Sequence, residues 1–153
     1  MRTRGFEVVK EDMRKTSGEI QLPTRGTTKA MAYDFYSPID LVIEPNCIGK
    51  VWTDVKAYMQ EDEVLKMYIR SSIGTKLGLV LKNGTGIIDS DYYSNEDNDG
   101  NMGICLRNTS HSQSVTLKKG ERVAQGIFVK YLVADNDNAD ATREGGFGST
   151  VID

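Results

Sequence analysis

The amino-acid sequence predicts an all-β domain, a sandwich or a barrel, on three observations. Short segments rich in β-branched and aromatic residues recur along the chain, turn chemistry separates them, and only one stretch has a helical composition. Short strands at regular spacing with turn signals between them are the pattern of antiparallel β architecture.

The strands are expected in this order: FEVV (6–9), IDLVIE (39–44), IGKVWTDV (48–55), VLKMYIR (64–70), GLVLKN (78–83), GICLRN (103–108), QSVTL (113–117) and RVAQGIFVKYLV (122–133). Asn83-Gly84 and Lys119-Gly120 mark turns between them, because glycine accepts the positive φ that tight turns require. RSSIGTKLG (70–78) is the stretch expected to wind into a turn or two of helix. No internal repeat stands out. DNDNADATREGGFGST (135–150) reads as a polar, mobile tail, because it offers no apolar side chains to anchor it except Phe147. A body of residues 1–142 and an arm of residues 143–153 are therefore expected.

The totals narrow the function. A chain of 153 residues is long enough for one domain with a real core. Its net charge of −3 and pI near 5.2 give no bulk attraction to nucleic acid or to an anionic membrane. An anionic ligand must be met by a few local arginines. MRTRGFEVVKEDM lacks the apolar centre of a secretory leader, and no apolar run is long enough to cross a bilayer. A cytoplasmic location is expected. Cys47 and Cys105 lie in strand-like stretches without metal spacing and are expected to be buried thiols rather than a disulfide. His111 is the only histidine and is flanked by serines, so it reads as a loop residue rather than a triad member or zinc ligand.

Two acidic clusters invite a calcium reading and fail it. NEDNDG (95–100) matches the first half of a calcium loop, but the twelfth position, which needs a bidentate glutamate, is Leu106. In DNDNAD (135–140) the sixth residue is Asp140 where glycine is required. Both are expected to be solvated loops.

Five stretches, read in order, resemble the five motifs of the homotrimeric dUTPases: AMAYDFYS (30–37), RSSIGTKLGL (70–79), NGTGIIDSDYY (83–93), GERVAQ (120–125) and REGGFGST (143–150). Each alone is weak; their order and spread over the chain make the resemblance specific. RGFEVV, TDVKAYM and the extended third motif are similar to versions found in Gram-positive bacteria and their phages. The resemblance implies a jelly-roll-like β-barrel, a homotrimer, and the Mg²⁺-dependent conversion of dUTP to dUMP and pyrophosphate. That reaction limits uracil incorporation into DNA and supplies dUMP for dTMP synthesis.

It also implies a role for each matching residue. Asp89 corresponds to the carboxylate that orients and activates the attacking water. A triphosphate repels hydroxide, so a water held in line needs a nearby group to take its proton. Without the other motifs, Asp89 would read as a turn cap. Asn83, Ile87, Ile88 and Tyr92, on one hairpin, and the backbone of Gly103 on the opposing strand correspond to the uracil and deoxyribose pocket. Cytosine reverses donor and acceptor at its 4-position, so the wrong base leaves buried polar groups unpaired. Tyr92 is expected to lie flat against the sugar and exclude a 2′-hydroxyl, with Tyr93 on the opposite face of the strand. Arg70, Ser71 and Ser72 correspond to the phosphate grip, for which a planar guanidinium fork is suited. Gln125 corresponds to the glutamine near the α-phosphate, and Arg122 is expected to be structural. Asp34 corresponds to an aspartate that touches the metal only through water, as fits an ion that keeps its hydration and sits on substrate phosphates.

The glycine-rich tail then acquires a purpose. It cannot be a phosphate loop that opens a helix, since only Val151, Ile152 and Asp153 follow Thr150. In the family the tail crosses to a neighbouring subunit, where an aromatic ring, here Phe147, covers the uracil. Arg143, Gly148, Ser149 and Thr150 reach the phosphates.

Three departures from the family pattern stand out. Met31 and Ala32 replace the usual alanine and glycine, YSNEDNDGN (93–101) replaces a short turn, and Val151 follows Thr150 in place of glycine. The 95–101 loop is expected to adjust access to the site or to contact a regulatory partner, as phage relatives do. The related dCTP deaminases share the RSS motif but need a glutamate on the strand where this chain has Cys105.

Overall fold

Among the described residues the backbone forms eleven strands and only isolated helical turns. The computed structural model describes residues 1–147. The strands are β1 (Gly5–Val8), β2 (Tyr33–Tyr36), β3 (Leu41–Ile43), β4 (Ile48–Trp52), β5 (Val55–Tyr58), β6 (Glu63–Ile69), β7 (Leu79–Leu81), β8 (Gly86–Asp89), β9 (Gly103–Asn108), β10 (Val115–Leu117) and β11 (Arg122–Lys130). The fold is all-β, as the sequence predicts, and its longest helical turn, Ser72–Lys76, falls within the stretch singled out for it.

All pairings are antiparallel. They build a four-stranded sheet β2-β11-β6-β8, a three-stranded sheet β4-β9-β7 and the pairs β1-β5 and β3-β10. These sheets enclose one core, with Phe35, Leu65 and Val123 from the four-stranded sheet meeting Val51, Leu79 and Leu106 from the three-stranded one. Fully burying a side chain of this size is worth about 1.5–3 kcal/mol. At the centre, Gly126 on β11 leaves no room for a side chain: a Cβ there would lie 2.9 Å from Met67 Sδ and 3.0 Å from Phe35 Cε2.

The segment IGKVWTDV divides into β4 and β5 at Asp54, whose φ is +56°. Aspartate tolerates this left-handed conformation better than most residues, and its carboxylate is held on several sides. It accepts the Lys15 and Thr16 amides at 2.8 and 3.0 Å, the Thr16 hydroxyl at 2.6 Å and the Asn101 side-chain amide at 2.8 Å. Asp54 thereby ties the N-terminal segment to the end of the 94–101 loop.

That loop departs from expectation. It is not a solvated acidic surface: Asn98, Asp99, Gly100 and Asn101 are buried. Asp99 accepts a hydrogen bond from the Lys56 ammonium at 2.8 Å and another from the Lys10 amide at 2.8 Å. Burial opposes the charge on Asp99, but those partners outweigh it and hold its pKa below the ordinary 3.8. The two cysteines are free thiols as expected but are not buried: Cys47 is exposed in the turn before β4, and Cys105 is half-buried on β9.

Candidate active site

The candidate site begins where the chain leaves one sheet for the other. After β7, Lys82 extends the pairing to β9 by donating its amide to the Cys105 carbonyl at 3.0 Å. Asn83-Gly84 then turns, with Gly84 at φ +75°, and the chain enters β8, which pairs with β6. The 83–93 segment is therefore not the paired hairpin that the sequence suggested. Its two arms belong to different sheets because β9 and β6 each offer a longer hydrogen-bonding edge than β7 and β8 offer one another.

Where the sheets part, a cavity of about 540 Å³ opens. Asn83, Ile87, Ile88, Asp89, Tyr92 and Gly103 all line it, so the structure brings together every residue assigned to the base and sugar pocket, with the proposed base beside them. Gly103 lies across the cavity, paired with Trp52 on β4, and a Cβ there would come within 3.1 Å of the indole. Gly86 is also forced, since its Cβ would lie 2.9 Å from that of Met67.

Tyr92 is not on a strand. It ends a 3-10 turn, Ser90–Tyr92, so strand alternation does not separate it from Tyr93. Its ring is buried, and its hydroxyl donates to the Asn101 carbonyl at 2.6 Å while accepting from Asn98 Nδ2 at 2.8 Å. Burial pushes its pKa above the ordinary 10.0, against the opposing effects of Asn98 and Arg143. Tyr93 is half-buried, and its hydroxyl donates to Glu7 Oε2 at 2.7 Å.

Asp89 is the last residue of β8, and its side chain is 54% exposed towards the cavity mouth. It makes no capping bond to the turn that follows. Its partner is Arg143, whose Nη2 lies 2.9 Å from Asp89 Oδ2 while its Nε lies 2.7 Å from Asp91 Oδ1. Asp91 was not singled out from the sequence, although its place two residues after Asp89 was the available signal. Phe147 lies at the same mouth, with its ring 5.6 Å from that of Trp52 and 4.1 Å from Lys50 Nζ. Nothing in the sequence marked Trp52 or Lys50 for this place. The structure thus seats residues 143–147 on the pocket of their own chain. Gly148, Ser149 and Thr150 lie outside the described residues.

A second cluster gathers the first, second and fourth motifs. Asp34 on β2, buried, faces Arg70 Nε at 2.9 Å and Arg122 Nη1 at 3.6 Å. Arg70 also donates to Ser72 Oγ at 3.3 Å, and Gln125, paired with Asp34 across the sheet, ties its Nε2 to the Ile69 carbonyl at 3.1 Å. Ser71 is exposed at the head of the Ser72–Lys76 turn, and its side chain makes no capping bond to that turn. Two guanidiniums and two hydroxyls thus gather beside one carboxylate, which holds both cations.

The two clusters do not meet. Asp89 pairs opposite Val64 near the start of β6, whereas Arg70 follows Ile69 at its other end. Six residues of strand at about 3.3 Å each put them roughly 20 Å apart. The cleft bounded by Arg70, Ser72 and Arg122 shares no lining residue with the cavity of Asp89.

A metal would find little here to hold it directly. Among the described residues no three potential ligands cluster, and both oxygens of Asp34 face guanidinium groups.

Comparison with known proteins gives a consistent result. The dUTPase family model matches residues 18–151. The deoxyuridine 5′-triphosphate nucleotidohydrolase of Lactococcus lactis is 47% identical over 152 residues, covering 98% of this chain and 99% of that protein. The crystal structure of the dUTPase from Streptococcus mutans superposes with a TM-score of 0.77 at 42% identity, covering 86% of this chain and 99% of that one. A dUTPase from phage phi11 of S. aureus, described with a structural Mg(II) ion, shares the fold with a TM-score of 0.72 at 21% identity, covering 92% of this chain and 98% of that one.

Proposed function

The chain belongs to the dUTPase family, and from that premise we propose that it hydrolyses dUTP to dUMP and pyrophosphate at a site assembled between copies of itself. The activity is that of a dUTP diphosphatase. The divided assembly rests on one observation: Asp89 and Arg70 stand at opposite ends of β6, roughly 20 Å apart. A water on Asp89 and a phosphate on Arg70 cannot belong to one reacting centre within a single chain. In a homotrimer, the Asp89 cavity of one copy faces the Arg70 cleft of the next, and both reach one nucleotide.

In that composite site the base enters the cavity between β8 and β9, where Asn83 and the Gly103 backbone supply the polar edge and Ile87 and Ile88 the apolar walls. Tyr92 supports the sugar with its ring, since its hydroxyl is already committed to Asn101 and Asn98. Asp89 holds a water in line with the α-phosphorus and takes its proton as the new P–O bond forms. The bond from the α-phosphorus to the bridging oxygen breaks, and the electron pair leaves with pyrophosphate. Positioning of this kind removes roughly 7–11 kcal/mol of barrier, so one exposed carboxylate suffices. Arg70, Ser71 and Ser72 receive the charge that develops on the leaving group, and Gln125 orients the α-phosphate. Asp34 aims Arg70 and reaches the metal only through water.

Mg²⁺ bound with the substrate would neutralise charge on the triphosphate, with Asp34 the carboxylate that would touch it through water. The arm of residues 143–153 closes the site: Phe147 covers the base, and Arg143, Gly148, Ser149 and Thr150 bind phosphate. Within the trimer we assign the arm to a neighbouring copy's site. The exposed segment of residues 131–142, which forms no strand, is long enough to extend about 40 Å. No helix among the described residues is long and apolar enough to cross a membrane, and we place the reaction in the cytoplasm.

The test is to size the purified protein while assaying each deoxynucleoside triphosphate. Pyrophosphate from dUTP alone, by a species three times the chain mass, is the expected result. Ammonia from dCTP would favour the deaminase alternative, and full turnover by a monomer would refute the divided site.

A further inference from the structure

The loop that replaces the usual short turn after Tyr92 is a rigid object. Asn95 Oδ1 accepts the Asp97 and Asn98 amides at 3.0 and 3.2 Å, while its Nδ2 donates to the Tyr92 carbonyl and to Asn98 Oδ1, both at 2.8 Å. Asn98 Oδ1 also accepts the Gly100 amide at 3.0 Å. Ser94 and Asp99 hold left-handed φ values of 56° and 60°, a conformation that non-glycine residues keep where neighbours over-determine it. Of the groups that the knot leaves exposed, Asp97 meets the arm: its Oδ2 accepts the Gly146 amide at 2.8 Å.

The fit at that point is close. Gly146 is buried against the loop, and a Cβ there would lie 2.9 Å from Asn98 Nδ2 and 3.0 Å from Asn95 Oδ1. The next residue, Phe147, meets the edge of Trp52, and Lys50 Nζ stands over both rings at 4.0 and 4.1 Å. Lys50 and Trp52 in turn pack on Gly103, the far wall of the cavity. One residue before Gly146 and two more back, Arg143 bridges Asp89 and Asp91. The arm is thus gripped at three successive points, of which the middle one belongs to the loop alone.

We propose that residues 94–99 form a built-in dock for the C-terminal arm, in which Asp97 fixes the Gly146 amide and so delivers Phe147 to the Lys50–Trp52 wall of the pocket. The occupant is the 143–147 segment of this same polypeptide. Every copy carries the same dock, so the assignment holds whether a chain's own arm or a neighbour's arrives. Asp97 is a positioning residue: it touches the arm's backbone and not the nucleotide. A hydrogen bond to a backbone amide reads no side chain, and specificity comes from the notch that admits only glycine. The link to catalysis rests on the dUTPase reading; the docking itself does not.

Trp52 is the only tryptophan and reports on Phe147 directly. Three full-length variants test the dock: Asp97→Ala, Gly146→Ala and Asp97→Asn. Without nucleotide, Asp97→Ala and Gly146→Ala are expected to move the Trp52 emission to that of a chain truncated after Thr142. Asp97→Asn, whose amide oxygen still accepts the bond, keeps the wild-type spectrum. With dUTP, the first two raise KM by about tenfold, the loss of one charge-assisted hydrogen bond, with kcat within about twofold and an unchanged melting temperature. Wild-type emission and KM in both Asp97→Ala and Gly146→Ala would overturn the proposal. If the wild type releases no pyrophosphate from dUTP, the functional reading fails while the nucleotide-free spectra still decide the dock.

Discussion

The guanidinium of Arg143 lies 2.9 Å from the carboxylate of Asp89, so the two groups proposed as phosphate-binding cation and general base hold each other in the protein without ligand. Under the proposed mechanism, an incoming triphosphate would offer Arg143 a more highly charged partner and free Asp89 to hold the attacking water. Substituting Asp89→Asn keeps the shape but removes the proton acceptor. Turnover of dUTP is expected to fall by about two to four orders of magnitude, while calorimetric affinity for a non-hydrolysable dUTP analogue changes little. Near-normal turnover would remove Asp89 from the mechanism.

Deleting residues 143–153 removes the ion pairs of Arg143 with Asp89 and Asp91, whose carboxylates are mostly exposed. Such pairs contribute at most about 1 kcal/mol. The truncated protein is expected to keep its oligomeric state and melt within a few degrees of the full chain, with little activity left. Full turnover in the truncation would end the role of the arm as a lid.

The separation of Asp89 from Arg70 along β6 makes subunit complementation possible. Homo-oligomers of Asp89→Asn and of Arg70→Ala are both expected to be inactive. Unfolding them together in equal amounts and refolding produces mixed assemblies in which roughly a quarter of the composite sites draw both intact residues from different chains. Recovery of about that share of activity is expected; no recovery would place both residues in one chain's site.

Asp99 and Lys56 form a buried ion pair at 2.8 Å beneath the 94–99 loop, with Glu7 4.0 Å away as the ammonium's other carboxylate neighbour among the described residues. Asp99→Asn strands a buried charge and is expected to cost roughly 3 kcal/mol in urea unfolding at fixed protein concentration. Because Asp99 titrates below its ordinary 3.8 in the folded protein, the folded state binds fewer protons than the unfolded chain just below that pH. Its contribution is therefore complete above about pH 4–5 and is lost as the pH falls through the depressed folded value. The gap between wild type and Asp99→Asn should be constant at neutral pH and close only in acid. A gap that closed near pH 6–7 would mean that another group controls it.

Tyr92→Phe separates the two uses of this residue. The ring stays to support the sugar, but Asn98 Nδ2 and the Asn101 carbonyl lose their partner. Leaving a buried group unpaired costs about 1–3 kcal/mol, so the expected result is a lower denaturation midpoint with discrimination between dUTP and UTP retained. Loss of that discrimination would assign selectivity to the hydroxyl.

Much of this protein is legible along the chain. The β-branched and aromatic residues of VLKMYIR and RVAQGIFVKYLV announce strands, and Asn83-Gly84 announces a turn, because strand propensity and turn conformation are decided by residues within a few positions of one another. The five motifs identify the family and nominate the pocket, since each packs its chemistry into a short run. The 94–101 loop was misread for the opposite reason. Its asparagines and aspartates have the composition of a solvated surface, and groups from distant parts of the chain turn some of them inward, Lys56 and Lys10 holding Asp99 and Asp54 holding Asn101.

By itself, then, the sequence determined the strand content, the family and the residues available for catalysis, because these follow from local pattern and side-chain chemistry. The tertiary structure alone decided which groups can act on the same phosphate. Pairing β8 with one end of β6, and setting Arg70 at the other, is a long-range choice of sheet register. Tertiary packing also decided that Asp97 meets Gly146, a contact that spans 49 positions and that no local pattern encodes.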